Sequence, residues 1–120
     1  MDYGDIRIIG DRVIITPANG TVWLTKHQIA DLFEVFISKV SSNITIILET
    51  GLLNDDIVYC RHRYDDGNFV ELYNLEMITA LSFRIRSANA DAFRRWLMVQ
   101  AVARKRTLIA VPLSDKTLLN

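Results

Sequence analysis

The feature that most constrains this chain is a short apolar strand running straight into a helix with its own start signal. It reads Thr21-Val22-Trp23-Leu24-Thr25-Lys26-His27-Gln28-Ile29-Ala30-Asp31-Leu32-Phe33. Thr25 can cap the helix, and Gln28 three residues later completes a capping box. Ile29, Leu32 and Phe33 then share one helical face. A second apolar-periodic segment follows within a few residues, built on Ile37, Val40, Ile44, Ile47 and Leu48. Two helices joined so closely predict a helix-turn-helix over 25–50, a unit whose second helix can enter a DNA groove.

The rest of the chain fits one small domain around that unit. At 120 residues and half apolar it can bury a core without staples. Cys60 is the single cysteine, so no intrachain disulfide is available. The N-terminus carries Asp2 and Asp5 and lacks the apolar segment of a signal peptide. No apolar run reaches the length of a membrane span. The expectation is a cytoplasmic protein with no membrane partner.

Turn chemistry places the remaining elements. Gly10-Asp11 between two β-rich runs predicts a hairpin over 6–16, and Asn19-Gly20 predicts a tight turn before a strand at Val22–Leu24. The second helix is expected from about Ile37 to Glu49 with Gly51 as its C-terminal cap, although the β-branched run Ile44 to Ile47 also suits a strand. Asp65-Asp66-Gly67-Asn68 predicts a hairpin over 57–73. Asn74 should cap a helix running to about Ile85, and Ser87 to Asn89 should break it from a last helix over about Ala90–Arg106. That last helix is expected to bury Phe93, Trp96, Leu97 and residues near Val99. Residues 107–120 read as a tail with Pro112 and room for a short strand. A hairpin directly after a helix-turn-helix predicts an α+β, winged-helix-like domain.

Net charge is zero, which argues against a strong nonspecific polyanion binder, but the balance is uneven. Residues 1–60 hold four Lys or Arg against eight acids, and residues 61–120 hold ten against six. An anionic partner should meet the second half first. The alternative is a balanced surface with internal ion pairs.

Four stretches, taken in order, resemble the RhuM virulence-protein family, which is similar in style to the KilA-N and Bro-N DNA-binding domains of phages and viruses. They are the opening stretch through Phe33, Glu49-Thr50-Gly51-Leu52-Leu53, Tyr73-Asn74-Leu75-Glu76-Met77-Ile78, and Phe83-Arg84-Ile85-Arg86-Ser87 followed by Phe93-Arg94-Arg95-Trp96. Each is weak alone; their order and spacing over about residues 21 to 100 are more specific. The resemblance implies a bacterial, possible-virulence-locus DNA-binding module that regulates transcription, and it leaves open that the chain is the N-terminal domain of a longer protein. It carries over no catalytic residue. The family pattern has a glycine after the Leu-Phe pair and then small polar and basic residues. This chain has Glu34-Val35-Phe36-Ile37-Ser38-Lys39 instead.

Candidate residues follow. On the second helix, Lys39, Ser42 and Asn43 could contact double-stranded DNA, since Asn can bond bidentately to adenine; a solvated helix face is the competing reading. Arg61 and Arg63 alternate to one face of a strand and could grip phosphates as a wing, unless they pair across the strands with Glu71. Arg95 is a third candidate. Arg84 and Arg94 read as structural, and Arg104-Lys105-Arg106 suits a helix C-terminus. Val35, Phe36 and Ile37 cannot all face one core, because consecutive helical residues spread about 100° apart. They mark the rival possibility, an interface with a protein partner or a second copy of the chain.

Enzyme chemistry has little to stand on. His27, Cys60 and His62 show no metal-ligand spacing. Cys60 and His62 share a strand face without a further supporting group. No glycine-rich phosphate loop exists. The expectation is a nonenzymatic protein that needs no metal or cofactor.

Overall fold

The computed structural model describes the backbone of residues 2–110 and the side chains through residue 103. Among these residues it is a small α+β fold with two antiparallel hairpins and five helices. In chain order these are β1 (Asp5–Ile9), β2 (Arg12–Thr16), α1 (Lys26–Phe33), α2 (Ile37–Thr50), α3 (Asp55–Val58), β3 (Tyr59–Arg63), β4 (Phe69–Tyr73), α4 (Leu75–Ser82) and α5 (Ala88–Ala110).

The local signals act as the sequence suggests. β1 and β2 pair from Asp5↔Thr16 to Ile9↔Arg12 around Gly10, whose φ of 59° suits the first position of a two-residue hairpin loop. Asn19 and Gly20 both take positive φ and close reciprocal bonds between Ala18 and Thr21 at 2.8 and 3.3 Å. In α1 the capping box is complete: Gln28 N–H donates to Thr25 Oγ1 at 3.1 Å, and Thr25 N–H donates to Gln28 Oε1 at 2.8 Å. The segment 44–47 is helical, because Val40, Ile44 and Ile47 form one buried stripe that outweighs β-branched preference. Gly51 ends α2 with a φ of 75°.

Six expectations need correction. Val22–Leu24 is not a strand. Only Leu24 bridges, exchanging bonds with Tyr73 at 2.9 and 2.8 Å, while Trp23 N–H turns to the Tyr3 carbonyl at 2.8 Å. The segment is divided between two neighbours, so no ladder forms. Residues 57–58 are helical rather than extended. Asn54 caps α3 by accepting from Asp56 N–H, and two aspartates favour its first turn. α4 stops at Ser82, not Ile85. The Arg94 guanidinium takes the carbonyls of Ser82 and Ile85, which replaces the helical ladder there. Finally, Val99 is 63% exposed: α5 starts two residues early, capped by Ser87, and is exposed beyond Leu97 as far as side chains are described. Its backbone continues through Ala110, so residues 107–110 are helix rather than tail. The short strand expected further on lies outside the described residues.

The core lies between the helices. Phe33, at the end of α1, meets Phe93 of α5 edge to face at 5.9 Å. Val22, Ile29, Val40, Met77, Ile78, Leu81 and Ile85 complete it with no exposed surface. Full burial of side chains this size contributes about 1.5–3 kcal/mol each.

Candidate nucleic-acid interface

The outer face of α2 follows from its inner one. With Val40, Asn43, Ile44 and Ile47 turned inward, Ser38, Lys39, Ser42, Thr45, Ile46, Glu49 and Thr50 are left exposed. The centre of this face carries Ser38, Ser42, Thr45 and the acidic Glu49, and Lys39 and Ile46 lie along one edge. Ser42 Oγ turns back to the Lys39 carbonyl at 3.3 Å.

Asn43 is not on that face. It is 7% exposed, and both ends of its amide are engaged. Nδ2 donates to the Lys39 carbonyl at 2.8 Å, and Oδ1 accepts from Arg84 Nε at 2.9 Å. A buried, satisfied amide cannot also reach a base edge. A signal for this was present in the sequence, since position 43 falls inside the 40–44–47 apolar stripe. Arg84, which reads as structural from sequence, is an exposed guanidinium lying along the flank of α2.

The β3–β4 hairpin presents its arginines as alternation requires. Arg61 and Arg63 are both exposed on one face. Arg61 lies over Phe69, with its guanidinium carbon 4.2 Å from the ring centroid, a cation–π contact that holds the group flat. Glu71 stands opposite Arg61 in the register, yet its carboxylate accepts from the Tyr73 hydroxyl at 3.4 Å. No ion pair joins Arg61 or Arg63 to an acid among the described residues.

The other face of this hairpin is aromatic. His62 meets Tyr64 at 5.0 Å and Tyr3 at 5.7 Å, both edge-on. Tyr3 therefore braces the hairpin from the N-terminus. Burial, with smaller effects from Tyr64 and Cys60, holds its phenol above the ordinary range. Cys60 shares this face, and burial pushes its thiol up. A raised thiol is a poor nucleophile at neutral pH. No group of three or more His, Cys, Asp or Glu among the described residues is placed to hold a metal ion.

Arg95 is held elsewhere. It bonds Asp91 on its own helix and Asp11 in the β1–β2 turn, the latter at 2.6 Å. Asp11 and then Asp91 raise the guanidinium's pKa further. Its charge is compensated, and it ties α5 to the N-terminal hairpin. Arg94 is occupied by Ser82, Ile85 and Asp91.

The turn between α1 and α2 separates three apolar neighbours. Val35 and Ile37 pack against the core, whereas Phe36 is 85% exposed. Glu34 adopts φ 56° and ψ 50°, the left-handed region. Its N–H and that of Val35 close the end of α1 on the Ala30 carbonyl. A left-handed conformation costs a non-glycine residue about 1–2 kcal/mol. Asn89 of α5 steadies this corner through the Leu32 carbonyl at 2.9 Å and Glu34 Oε1 at 3.4 Å.

No family model, curated protein or solved structure matches this chain.

Proposed function

We propose that this chain is a nonenzymatic DNA-binding, regulatory module with a winged-helix arrangement, of the phage or mobile-element type that its RhuM-like residues suggest. One observation carries the reading. Lys39 on α2, with Arg61 and Arg63 on the hairpin, are exposed cations without acidic partners among the described residues, whereas Arg94 and Arg95 of α5 are both ion-paired. Charges left open on α2 and on the β3–β4 hairpin suit an anionic partner. The Leu24–Tyr73 bridge supports the winged arrangement, because it sets the segment before α1 against β4 on the side away from β3. In this reading the short polar side chains of α2 meet base edges and the hairpin arginines hold backbone phosphates.

Fluorescence anisotropy on a mixed-sequence duplex tests it. With three phosphate contacts, log K should fall against log salt with a slope of about −2.7. The pair Arg61→Ala, Arg63→Ala should make that slope shallower by about 1.8. Undetectable duplex binding at low salt would end the proposal.

Phe36 favours a second reading, a protein-interaction or dimerisation module on the same scaffold. A phenyl ring 85% exposed beside Lys39 sits where an anionic partner gains nothing from it. Sedimentation equilibrium distinguishes the two. Self-association that Phe36→Ser abolishes, with no duplex binding, would favour this reading.

Among the described residues no helix is long and apolar enough to cross a membrane.

A further inference from the structure

We infer that Arg84 is a phosphate-binding residue of the same face, with Asn43 as its positioning residue. The inference rests on the DNA reading and deepens it. Lys39 and Asn43 are four residues apart on α2, so they stand one above the other on one side of the helix. Lys39 is exposed, while Asn43 is covered by Arg84. The guanidinium thus takes the place of a second cation one turn along α2 from Lys39. A residue on another element supplies it.

The way Arg84 is held leaves its binding edge open. The Asn43 amide is fixed first, because Nδ2 donates to the Lys39 carbonyl and so Oδ1 must be the end that accepts. That oxygen takes the Nε proton alone. Nη1 and Nη2 have no hydrogen bond or ion pair among the described residues. They form the planar fork that fits two oxygens of a phosphate. Arg94 shows the contrary case nearby: both of its terminal nitrogens are occupied by two carbonyls and a carboxylate. Arg94 is largely buried and must be satisfied by protein, whereas the Nη edge of Arg84 is exposed and open to an incoming anion. Held by Nε with its terminal nitrogens facing solvent, the group is already oriented, which lowers the ordering cost when an anion arrives.

The position also fits the geometry of a groove-bound helix. Lys39 and Arg84 lie at the flank of α2, while Ser38, Ser42 and Thr45 lie further round on its outer face. When such a helix enters a major groove its outer face meets bases and its flanks meet the strands.

The test measures duplex affinity against salt for the whole chain and its variants, with thermal unfolding as the folding control. A fourth phosphate contact gives the unaltered protein a slope of about −3.6 rather than −2.7. Arg84→Gln should make the slope shallower by about 0.9 and weaken binding roughly fivefold to tenfold near physiological salt. Arg84→Lys keeps the charge and loses the fork, so the slope should stay near that of the unaltered protein while affinity falls less. Asn43→Asp places a carboxylate on Nε and compensates the charge; it should lose the same slope as Arg84→Gln although Arg84 is still present. This variant also keeps the test alive if Arg84→Gln fails to fold. A chain that binds the duplex with an unchanged slope in Arg84→Gln, or in Asn43→Asp, overturns the inference and leaves the DNA reading standing. A chain that binds no duplex at low salt overturns both.

Discussion

α1 and α2 are joined by three residues and are built on opposite plans. α1 has only eight residues, yet its start is closed by a reciprocal capping box and its end by a left-handed residue. α2 is fourteen residues long and begins at Phe36, which makes no side-chain cap bond. The short helix depends on local chemistry and on Phe33. The long one depends on its buried stripe, and its outer face is free of structural duties. That contrast explains how a helix can present a surface to a partner without losing its place: the neighbour and the core hold it, not its own exposed residues.

The contrast can be broken in order of expected size. Phe33→Ala removes a fully buried ring that meets Phe93, and should cost about 3–5 kcal/mol in denaturant unfolding. Phe36→Ala, three positions on, should change stability by no more than about 0.5 kcal/mol. A comparable loss at both would mean that Phe36 is not the exposed ring described. Thr25→Ala should lose about 1 kcal/mol by opening the capping box. Glu34→Gly should gain up to about 1 kcal/mol by relieving the left-handed backbone, less whatever the Asn89 contact supplies. Phe36→Asp should gain a few tenths of a kcal/mol, roughly half of a typical cap, by giving α2 the side-chain acceptor it lacks. A loss there would show that Phe36 contributes to packing.

The last prediction is silent at neutral pH. Tyr73 bridges to Leu24 at the entry to α1, and its phenol is pushed up to about 12 by burial, then by the charge of Glu71 and by Tyr59 and the Glu71 hydrogen bond. Raising the folded pKa favours the protonated form in the folded state. The contribution is whole below about pH 10 and is lost as pH rises from there toward about 12. Tyr73→Phe should flatten the fall in melting temperature across that interval.

What could be read from the sequence was what residues decide among near neighbours. Thr25 with Gln28, Gly10, Gly51 and Asn74 all act within a few residues, and each element edge they mark is where it was expected; Asn19-Gly20 makes its turn, but no strand follows it. The misreadings come from distant partners. α4 ends early because Arg94, twelve positions on, claims the Ser82 carbonyl. Val22–Leu24 fails as a strand because Tyr3 and Tyr73 divide its bonds. Asn43 and Arg84 are forty-one residues apart, so their pairing had no local sign. The hairpin arginines were legible, since strand alternation alone puts Arg61 and Arg63 together; the freedom of their charges was not, because it depends on where Glu71 points.

Glu34 holds a consequence for how this protein can change. Every glutamate codon lies one base from a glycine codon, so the residue that strains the corner between α1 and α2 is a single mutational step from the one residue type that would relax it. The step would also remove the carboxylate beside Lys39 and Phe36. Backbone ease and surface charge at this corner are therefore inherited together, and a lineage that gains the first by this step also makes the α1–α2 corner less acidic.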